Sequence, residues 1–256
     1  MARKKSKSNS KRNTTIITAI VVIILFVFTA GKVDLNKVDF SNPMSILSAL
    51  DLSKENHPDY GALNELPDYK NGQSLVVTLN NNQPDFTSAD LSLKKGAWQK
   101  FTDLDSLNRV GVANAMLHKS LMPTGERGDI SKVYPSGWKQ RKLDNGQWLY
   151  NRSHLIAYRF TGENDNWKNL FSGTEEMNQE EMTKYEEEVA QYLKSTNNHV
   201  RYQVTPYFKG DELVPRGVQM EAQSVGDNKL SYNVFIYNAQ KGYTIDYLTG
   251  SSKKAN

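Results

Sequence analysis

The chain has 256 residues, 38% of them hydrophobic, which gives room for one domain of about 200 residues with a sizeable core and makes two independent domains a tight fit. It has no cysteine, which excludes disulfides and thiolate zinc sites and leaves Mg²⁺, Mn²⁺ or Ca²⁺ as the favoured metals. The net charge of +4 comes from residues 1–31, which hold six basic and no acidic residues, so the remainder has 26 basic and 28 acidic residues and its bulk charge favours no partner.

The N-terminus predicts a membrane anchor. Residues 1–13 form a basic tail, and Thr14 to Ala30 is an uncharged run of 17 residues rich in Ile, Val, Leu and Phe. That length is near the lower limit for spanning a hydrocarbon core of about 30 Å, and it also suits a signal peptide. The preceding cations keep the tail in the cytoplasm. We expect residues 14–31 to be a single-pass signal anchor in the cell membrane with the C-terminal part outside, and secretion after signal cleavage is the alternative.

The next segments predict a spacer and the start of a folded domain. Residues 32–72 contain three prolines and no sustained hydrophobic period, which is typical of a spacer, so the domain is expected to cover residues 73–256. Ser74 to Asn80 is predicted to be a strand that ends in an asparagine-rich turn. Asp105 to Leu121 has apolar residues at nearly helical spacing and is predicted to be a helix.

The second half of the chain predicts a mixture of helix and antiparallel strands. Gln147 to Tyr150 is a short apolar strand that delivers the sequence Asn151-Arg152-Ser153-His154, and Asn178 to Leu193 is an amphipathic helix without Pro or Gly. Three stretches rich in Val, Tyr and Thr follow, separated by turns at Lys209-Gly210-Asp211 and Gly226-Asp227-Asn228: His199 to Phe208, Leu213 to Val225 and Leu230 to Tyr237. The predicted fold class is α+β with a C-terminal meander.

His154 and Arg152 are the first candidates for chemistry. Side chains alternate along a strand, so both residues are expected on the same face. A histidine titrates near neutral pH and can take a proton from water, while a guanidinium can bind a phosphate oxygen. The other histidines, at 57, 118 and 199, are interpreted as surface or core residues.

Asn178 and Glu186 are candidates for metal binding. On a regular α-helix eight residues turn through 800°, so the two lie roughly on the same side and could bracket one cation. Two structural interpretations stay open. Asn178 could cap its helix, and Glu186 could belong to a solvated face of consecutive glutamates.

A basic and aromatic cluster surrounds these candidates. Between Gly125 and Arg159 there are seven basic and three acidic residues, together with Trp138 and Trp148. Basic groups interleaved with aromatic rings suit a phosphate chain with bases to stack on, although a solvated loop explains such a cluster about as often.

These motifs resemble the DNA/RNA non-specific endonucleases of the ββα-metal (His-Me finger) class, especially streptococcal membrane nucleases and secreted streptodornases. The resemblance runs from about Gln73 to Tyr247. Its densest parts are Tyr150 to Tyr158, Trp167 to Leu170, Met177 to Gln179, Tyr185-Glu186 and Val200 to Thr205. The resemblance implies a ββα-metal core with a central antiparallel sheet flanked by helices, here preceded by one transmembrane helix.

The resemblance also implies roles for individual residues. The family motif is Asp-Arg-Gly-His, in which His154 falls on the general base and Arg152 on the arginine. Asn178 matches the asparagine that holds a single Mg²⁺, and Glu186 matches a glutamate near the metal and leaving group. Three residues are expected to support the site or bind substrate: Asn169, Asn151 and Arg201. Asn151 and Ser153 depart from the motif's Asp and Gly, so the charge at 151 is lost and the backbone at 153 must need no glycine-only conformation.

The implied activity is Mg²⁺-dependent hydrolysis of DNA, with RNA as a further substrate and Mn²⁺ as a substitute metal. No protein partner is readable from the sequence, and the membrane is the expected partner of residues 14–31. The competing interpretations are a non-catalytic DNA receptor or adhesin on the same fold and, less favoured, a metal-dependent phosphatase.

Overall fold

Residues 57–255 of the chain are described by a computed structural model. The predicted basic tail, the predicted membrane segment and residues 32–56 of the predicted spacer lie outside the described residues. Within residues 57–255, no helix has the length and apolar character needed to cross a membrane.

The described residues contain eleven strands, two α-helices and one π-helical segment. The strands are β1 (Asp59–Tyr60), β2 (Val76–Leu79), β3 (Trp98–Phe101), β4 (Ala113–Leu117), β5 (Tyr150–His154), β6 (Leu170–Thr174), β7 (Val200–Tyr207), β8 (Gly217–Ser224), β9 (Ser231–Tyr237), β10 (Tyr243–Ile245) and β11 (Ser252–Lys254). The helices are α1 (Tyr158–Thr161), the π-helical segment Glu176–Met182 and α2 (Thr183–Ser195). The α+β class is confirmed.

A seven-stranded sheet forms the centre, in the order β1-β2-β9-β8-β7-β4-β3. The predicted meander is confirmed as β7, β8 and β9, which pair antiparallel in sequence. Its turns use Gly210 at φ 50° and Gly226 at φ 102°, a region that suits glycine. The sheet is mixed because β1 runs parallel to β2 at one edge. The pairs β5–β6 and β10–β11 are separate hairpins.

The folded unit begins before residue 73, the predicted boundary. The described residues from His57 onward belong to it, and Asp59 and Tyr60 pair with β2 at the edge of the sheet. Leu66 is buried in the core, and the Tyr237 hydroxyl donates to the Pro67 carbonyl at 3.0 Å. Pro58, one of the prolines that suggested a spacer, therefore directly precedes an edge strand, a position where a missing N–H costs no ladder hydrogen bond.

The predicted helix Asp105–Leu121 is wrong. This stretch forms a loop, then β4 and a 3₁₀ turn, and β4 pairs with both β3 and β7. Asn108 has a φ of 57°, which a helix interior does not accept. Ala113, Ala115 and Leu117 share one face of β4 and are buried in the main core, and Met116 on the other face is buried too.

One face of the sheet packs against the β5–β6 hairpin and the helix after it. The ring of Tyr202 on β7 lies 5.3 Å from that of Phe160 in α1, and Tyr232 on β9 lies 5.0 Å from Tyr185 in α2. All four side chains are buried, and burying each large aromatic side chain stabilises the fold by about 2 kcal/mol. This packing fixes the hairpin and helix relative to the sheet.

Arg201 lies on the opposite face of the sheet, because it alternates with Tyr202 along β7. It is only 4% exposed, and its guanidinium carbon lies 4.7 Å from the Phe86 ring and 5.3 Å from the Trp98 ring. One guanidinium nitrogen donates to Asn114 Oδ1 at 2.5 Å. The guanidinium of Arg201 therefore makes its contacts inside the fold, on the face of the sheet away from the hairpin, and its role in supporting the site or binding substrate stays a prediction.

Candidate active site

The β5–β6 hairpin places His154. β5 ends at His154, which pairs with Leu170 at the start of β6, so the histidine lies at the loop end of the hairpin. The chain between the strands forms α1 and a 3₁₀ turn at Trp167–Asn169. The π-helical segment follows β6 within two residues, which gives the order strand, strand, helix. His154 is 7% exposed and thus almost fully enclosed.

The partners of His154 define its tautomer. Nε2 lies 2.8 Å from the Asn164 carbonyl oxygen, and Nδ1 lies 3.3 Å from a terminal nitrogen of Arg127. A carbonyl can only accept and a guanidinium can only donate, so the neutral ring carries its proton on Nε2 and its lone pair on Nδ1. The lone pair is therefore held beside a permanent cation.

The environment of His154 favours the neutral ring. Burial is the largest influence and lowers its pKa to about 4, well below the ordinary value of 6.5. The hydrogen bond to Asn164 raises the pKa, and the charge of Arg127 lowers it. At neutral pH the imidazole is unprotonated and able to accept a proton.

Asn169 anchors the chain just after His154. Its side-chain oxygen accepts from the Ile156 N–H at 2.8 Å, and its side-chain nitrogen donates to the Ile156 carbonyl at 2.9 Å. The Asn169 carbonyl also accepts from Leu155 N at 2.9 Å. The carboxamide is fully buried, so these bonds are shielded from water. These bonds hold the backbone just after the strand end that carries His154.

Arg127 was not singled out by the sequence. It lies 27 positions before His154, in a loop that the Tyr158 hydroxyl joins by donating to the Glu126 carbonyl at 2.9 Å. A Cβ added at Gly128 would lie 2.7 Å from the Asn164 side chain, so the loop packs closely on Asn164. The only signal in the sequence was membership of the basic cluster, which contains seven such residues.

The Arg152 guanidinium, which the sequence suggested could bind a phosphate oxygen, is hydrogen-bonded to the loop before β5. It donates to the Val133 carbonyl and, at 2.6 Å, to the Ser131 carbonyl. The guanidinium carbon also lies 4.4 Å from the Trp138 ring and 5.3 Å from the Tyr134 ring. Its hydrogen-bonding capacity is thus directed at the loop before β5, and the structure brings Arg127, not Arg152, against the His154 ring.

Asn178 lies inside the π-helical segment, not at its cap. The segment starts at Glu176, and Glu175 is the residue before it, so the capping interpretation of Asn178 is wrong. The Asn178 carbonyl accepts from Thr183 Oγ1 at 3.1 Å, while its carboxamide has no hydrogen-bond partner within residues 57–255. The helix predicted from Asn178 to Leu193 is confirmed, but it begins at Glu176 and its first seven residues are π-helical, with more residues per turn than an α-helix. The rotation assumed for a regular α-helix therefore does not apply between positions 178 and 186.

Glu186 shares the electrostatic environment of Arg127. It lies in α2 and is partly buried. Burial raises its pKa to about 7 from 4.5, and the charges of Arg159 and Arg127 oppose that rise. The neighbouring Glu187 accepts from Arg159 at 2.5 Å. Arg127 thus acts on both His154 and Glu186, which connects the hairpin to α2.

Comparisons with known proteins identify the family of the chain. Residues 91–226 match the family described as DNA/RNA non-specific endonuclease. The chain belongs to this family.

Three solved structures are similar to the nuclease. NucA from Streptococcus agalactiae, in a crystal structure with magnesium bound, is 31% identical with a TM-score of 0.65, covering 76% of this chain and 92% of NucA. The Sda1 nuclease, in a structure with bound zinc, is 26% identical with a TM-score of 0.54, covering 62% and 82% of the two chains. An extracellular endonuclease at 22% identity and a TM-score of 0.52, with coverage of 67% and 95%, shares the fold. The chain is therefore a nuclease.

The nuclease carries a donor set that fits a hard divalent cation. Asn178 offers a partly exposed carboxamide oxygen, and Glu186 offers a carboxylate. Within residues 57–255 no group of three or more His, Cys, Asp or Glu side chains could hold a metal. Both side chains carry oxygen donors, the kind of ligand that a hard divalent cation takes, and a role for them in holding one stays a prediction.

The two departures from the family motif lie in β5, and each places a buried polar atom without a hydrogen-bond partner among the described residues: Ser153 Oγ and Asn151 Nδ2. Ser153 lies in extended backbone and is absent from the residues with positive φ, so the strand needs no glycine there. Its hydroxyl faces Gly173 on β6, where an added Cβ would lie 2.2 Å from Ser153 Oγ. Asn151 has a buried side-chain nitrogen without a hydrogen-bond partner in the described chain. The amide nitrogen of Asn151 therefore lacks an acceptor, whereas the carboxylate of an aspartate at this position would need none.

His154 and Glu186 are expected to give the nuclease opposite dependences of stability on pH. Between pH 4.5 and 6.5 the unfolded chain protonates the histidine and ionises the glutamate, while the folded protein, with pKa values of about 4 and about 7, does the reverse. The proton counts are equal, so the two groups together contribute no slope. In Glu186→Gln only the histidine remains, and stability should fall as pH is lowered, by up to about 1.4 kcal/mol per pH unit relative to wild type.

In His154→Gln only the glutamate remains, the folded state binds more protons, and stability should rise as pH is lowered over the same range. Urea unfolding at pH 4.5, 5.5 and 6.5 with chelator present measures both slopes against wild type. Curves parallel to wild type for both variants would contradict the two pKa shifts.

Proposed function

We propose that the nuclease is a Mg²⁺-dependent, sequence-non-specific endonuclease that hydrolyses DNA, with RNA as a further substrate, and that His154 is its general base. The observation that carries this proposal is the Nδ1 lone pair of a neutral, enclosed imidazole held 3.3 Å from Arg127. A general base must be unprotonated at the working pH, and the lowered pKa of His154 meets that condition.

The chain's own residues account for proton transfer and charge stabilisation. A water that attacks phosphorus in line gives its proton to His154 Nδ1, while the bond from phosphorus to the departing 3′ oxygen breaks. The resulting imidazolium keeps its Nε2–H bond to the Asn164 carbonyl, which is 2.8 Å away and carries partial negative charge. Arg127, already beside Nδ1, is placed to donate to a phosphate oxygen as negative charge develops.

Asn178 and Glu186 are the residues that would hold the cation. Mg²⁺ bound there would offset the negative charge on the phosphate and would supply an acidified water near the leaving oxygen. The magnesium in NucA and the zinc in Sda1 support a divalent ion in this family, and the oxygen donors of the chain favour Mg²⁺, with Mn²⁺ as a substitute.

The proposed specificity follows from the groups involved. Arg127, His154 and the cation all act on the phosphodiester, and phosphate contacts carry no direct sequence information. Weak sequence preference is therefore expected over long DNA.

Closed circular DNA tests the proposed activity. The full-length chain in mild detergent, incubated with such DNA and Mg²⁺, should yield nicked and then linear products, and excess chelator should stop the reaction. Linearisation requires cuts within a strand, which an exonuclease cannot make in a closed circle. Cleavage that persists in chelator would contradict metal dependence, and intact circles with Mg²⁺ and with Mn²⁺ would contradict the activity.

We further propose that residues 14–31 anchor the nuclease in the cell membrane with the catalytic unit outside. The support is the uncharged apolar run preceded by six basic residues. Extraction of membranes at high pH separates the alternatives, since an anchored chain stays in the pellet and a cleaved one is recovered from the medium.

A further inference from the structure

A stack of two aromatic rings and one guanidinium lies beside the hairpin. The Arg152 guanidinium carbon lies 4.4 Å from the centroid of the Trp138 ring and 5.3 Å from that of the Tyr134 ring. Trp138 is partly buried, while Tyr134 is 60% exposed. Within residues 57–255 no other aromatic or cationic group stacks on the Tyr134 ring. The stack therefore ends in an aromatic ring that is open to solvent.

The loop that carries Tyr134 is held in place on several sides. Arg152 donates to the carbonyls of Ser131 and Val133, and the Val133 side chain is buried. Two residues after Tyr134, Ser136 Oγ donates to the Leu213 carbonyl at 2.6 Å, and the Ser136 carbonyl accepts from Ser172 on β6. A ring on a restrained loop loses little conformational entropy when a ligand stacks on it.

The stack is built on the strand that carries the proposed general base. Arg152 and His154 are two residues apart on β5, so their Cα atoms are about 7 Å apart and their side chains leave the same face. A strand of nucleic acid with a phosphate at His154 can therefore place a neighbouring base near Tyr134. Isolated exposed aromatics are common on proteins; this one differs in its ordered stack and in its position.

We propose that Tyr134 is a stacking platform for an unpaired base next to the scissile phosphate, and that the nuclease therefore favours single-stranded over fully paired segments. This inference rests on the proposed function. In a duplex both faces of a base are covered by its neighbours, so only an unpaired or displaced base can stack on a side chain. Stacking tolerates every base, which agrees with weak sequence preference.

Single-stranded oligonucleotides with one abasic nucleotide test the platform. In wild type, cleavage should fall about 5- to 100-fold at the bond with a fixed offset from the abasic position, because the base that stacks is missing. Tyr134→Ala should cut the intact strand slower by a similar factor and should show no further fall at that bond. Tyr134→Phe keeps the ring and should behave as wild type.

Trp148→Ala is the matched control. Trp148 is also an exposed aromatic residue, at 53%, with a lysine over its ring, but it precedes His154 by six residues, about 20 Å along an extended chain. Trp148→Ala should show the same fall in cleavage at the bond with the fixed offset from the abasic position as wild type. The proposal is overturned if Tyr134→Ala keeps the wild-type fall at the abasic offset, or if Trp148→Ala loses it equally.

Binding separates failure of the platform from failure of the proposed activity. In a His154→Ala background without metal, adding Tyr134→Ala should weaken binding to a single-stranded oligonucleotide by about 5-fold or more, while adding Trp148→Ala should not. Equal binding by both double variants would overturn the platform even if wild type cleaves DNA. A selective loss would uphold it even if no cleavage is seen.

Discussion

His154→Ala is expected to lower the rate of plasmid cleavage by about 10²- to 10⁴-fold, the contribution of a positioned general base. The variant removes the Nδ1 lone pair that faces Arg127 and leaves no other imidazole in its place. The measurement is the initial rate of conversion of closed circles at saturating Mg²⁺. Far-ultraviolet circular dichroism and urea unfolding show whether the variant remains folded.

The control for this variant is His118→Ala. His118 is a second, partly exposed histidine whose ring stacks on His199 at 4.5 Å, outside the hairpin. It should retain wild-type activity. Free imidazole added to His154→Ala should restore part of the rate, and more so as pH rises through the pKa of imidazole, since only the neutral form accepts a proton. A folded His154→Ala variant with a rate within about threefold of wild type would remove His154 from the mechanism.

The elements that could be predicted from the sequence are those with local signals. The meander was recognisable because β-branched and aromatic runs alternate with glycine-containing turns, and the structure confirms it. His154 was expected near a strand end and β5 ends at that residue, but β5 covers Tyr150–His154 and shares only Tyr150 with the predicted strand Gln147 to Tyr150. Short-range chemistry is enough for such elements.

Asp105–Leu121 shows where local spacing misleads. Apolar residues three or four apart satisfied a helical period, yet β4 lies between β3 and β7 and takes its alternation from those neighbours. Pairing on both edges outweighs intrinsic preference, since Ala and Leu are themselves good helix formers. The π-helical turn that carries Asn178 also left no sequence signal.

The arginines show why site residues are harder to predict than strands. Alternation placed Arg152 on the face of His154, but the carbonyls that occupy its guanidinium belong to residues 19 and 21 positions earlier. Arg201 meets Asn114, 87 positions away, and Arg127 meets His154 across 27 positions. The acceptor that each guanidinium binds depends on how the loops pack. The composition of the cluster does not distinguish one of its basic residues from another.

Asn178→Ala is expected to lower cleavage by about 100-fold or more at millimolar Mg²⁺, because loss of a cation ligand removes several kcal/mol of charge stabilisation from the reaction. Raising the Mg²⁺ concentration should recover part of the rate if the defect is one of binding. Asn178→Asp keeps an oxygen ligand and should bind the cation at least as tightly as wild type. Calorimetric titration with Mn²⁺ measures affinity independently of catalysis.

Gln179→Ala is the matched control for the metal ligand. Gln179 is the next residue of the same π-helical segment, carries the same functional group and is exposed. Its loss tests whether any carboxamide on this turn is needed, and it should leave both Mn²⁺ affinity and cleavage at wild-type levels. Because the Asn178 carboxamide has no hydrogen-bond partner in the described chain, its removal should cost little stability, so a lost rate would not reflect unfolding. Unchanged affinity and rate in Asn178→Ala would move the cation to other ligands and leave the π-helical turn without a role in catalysis.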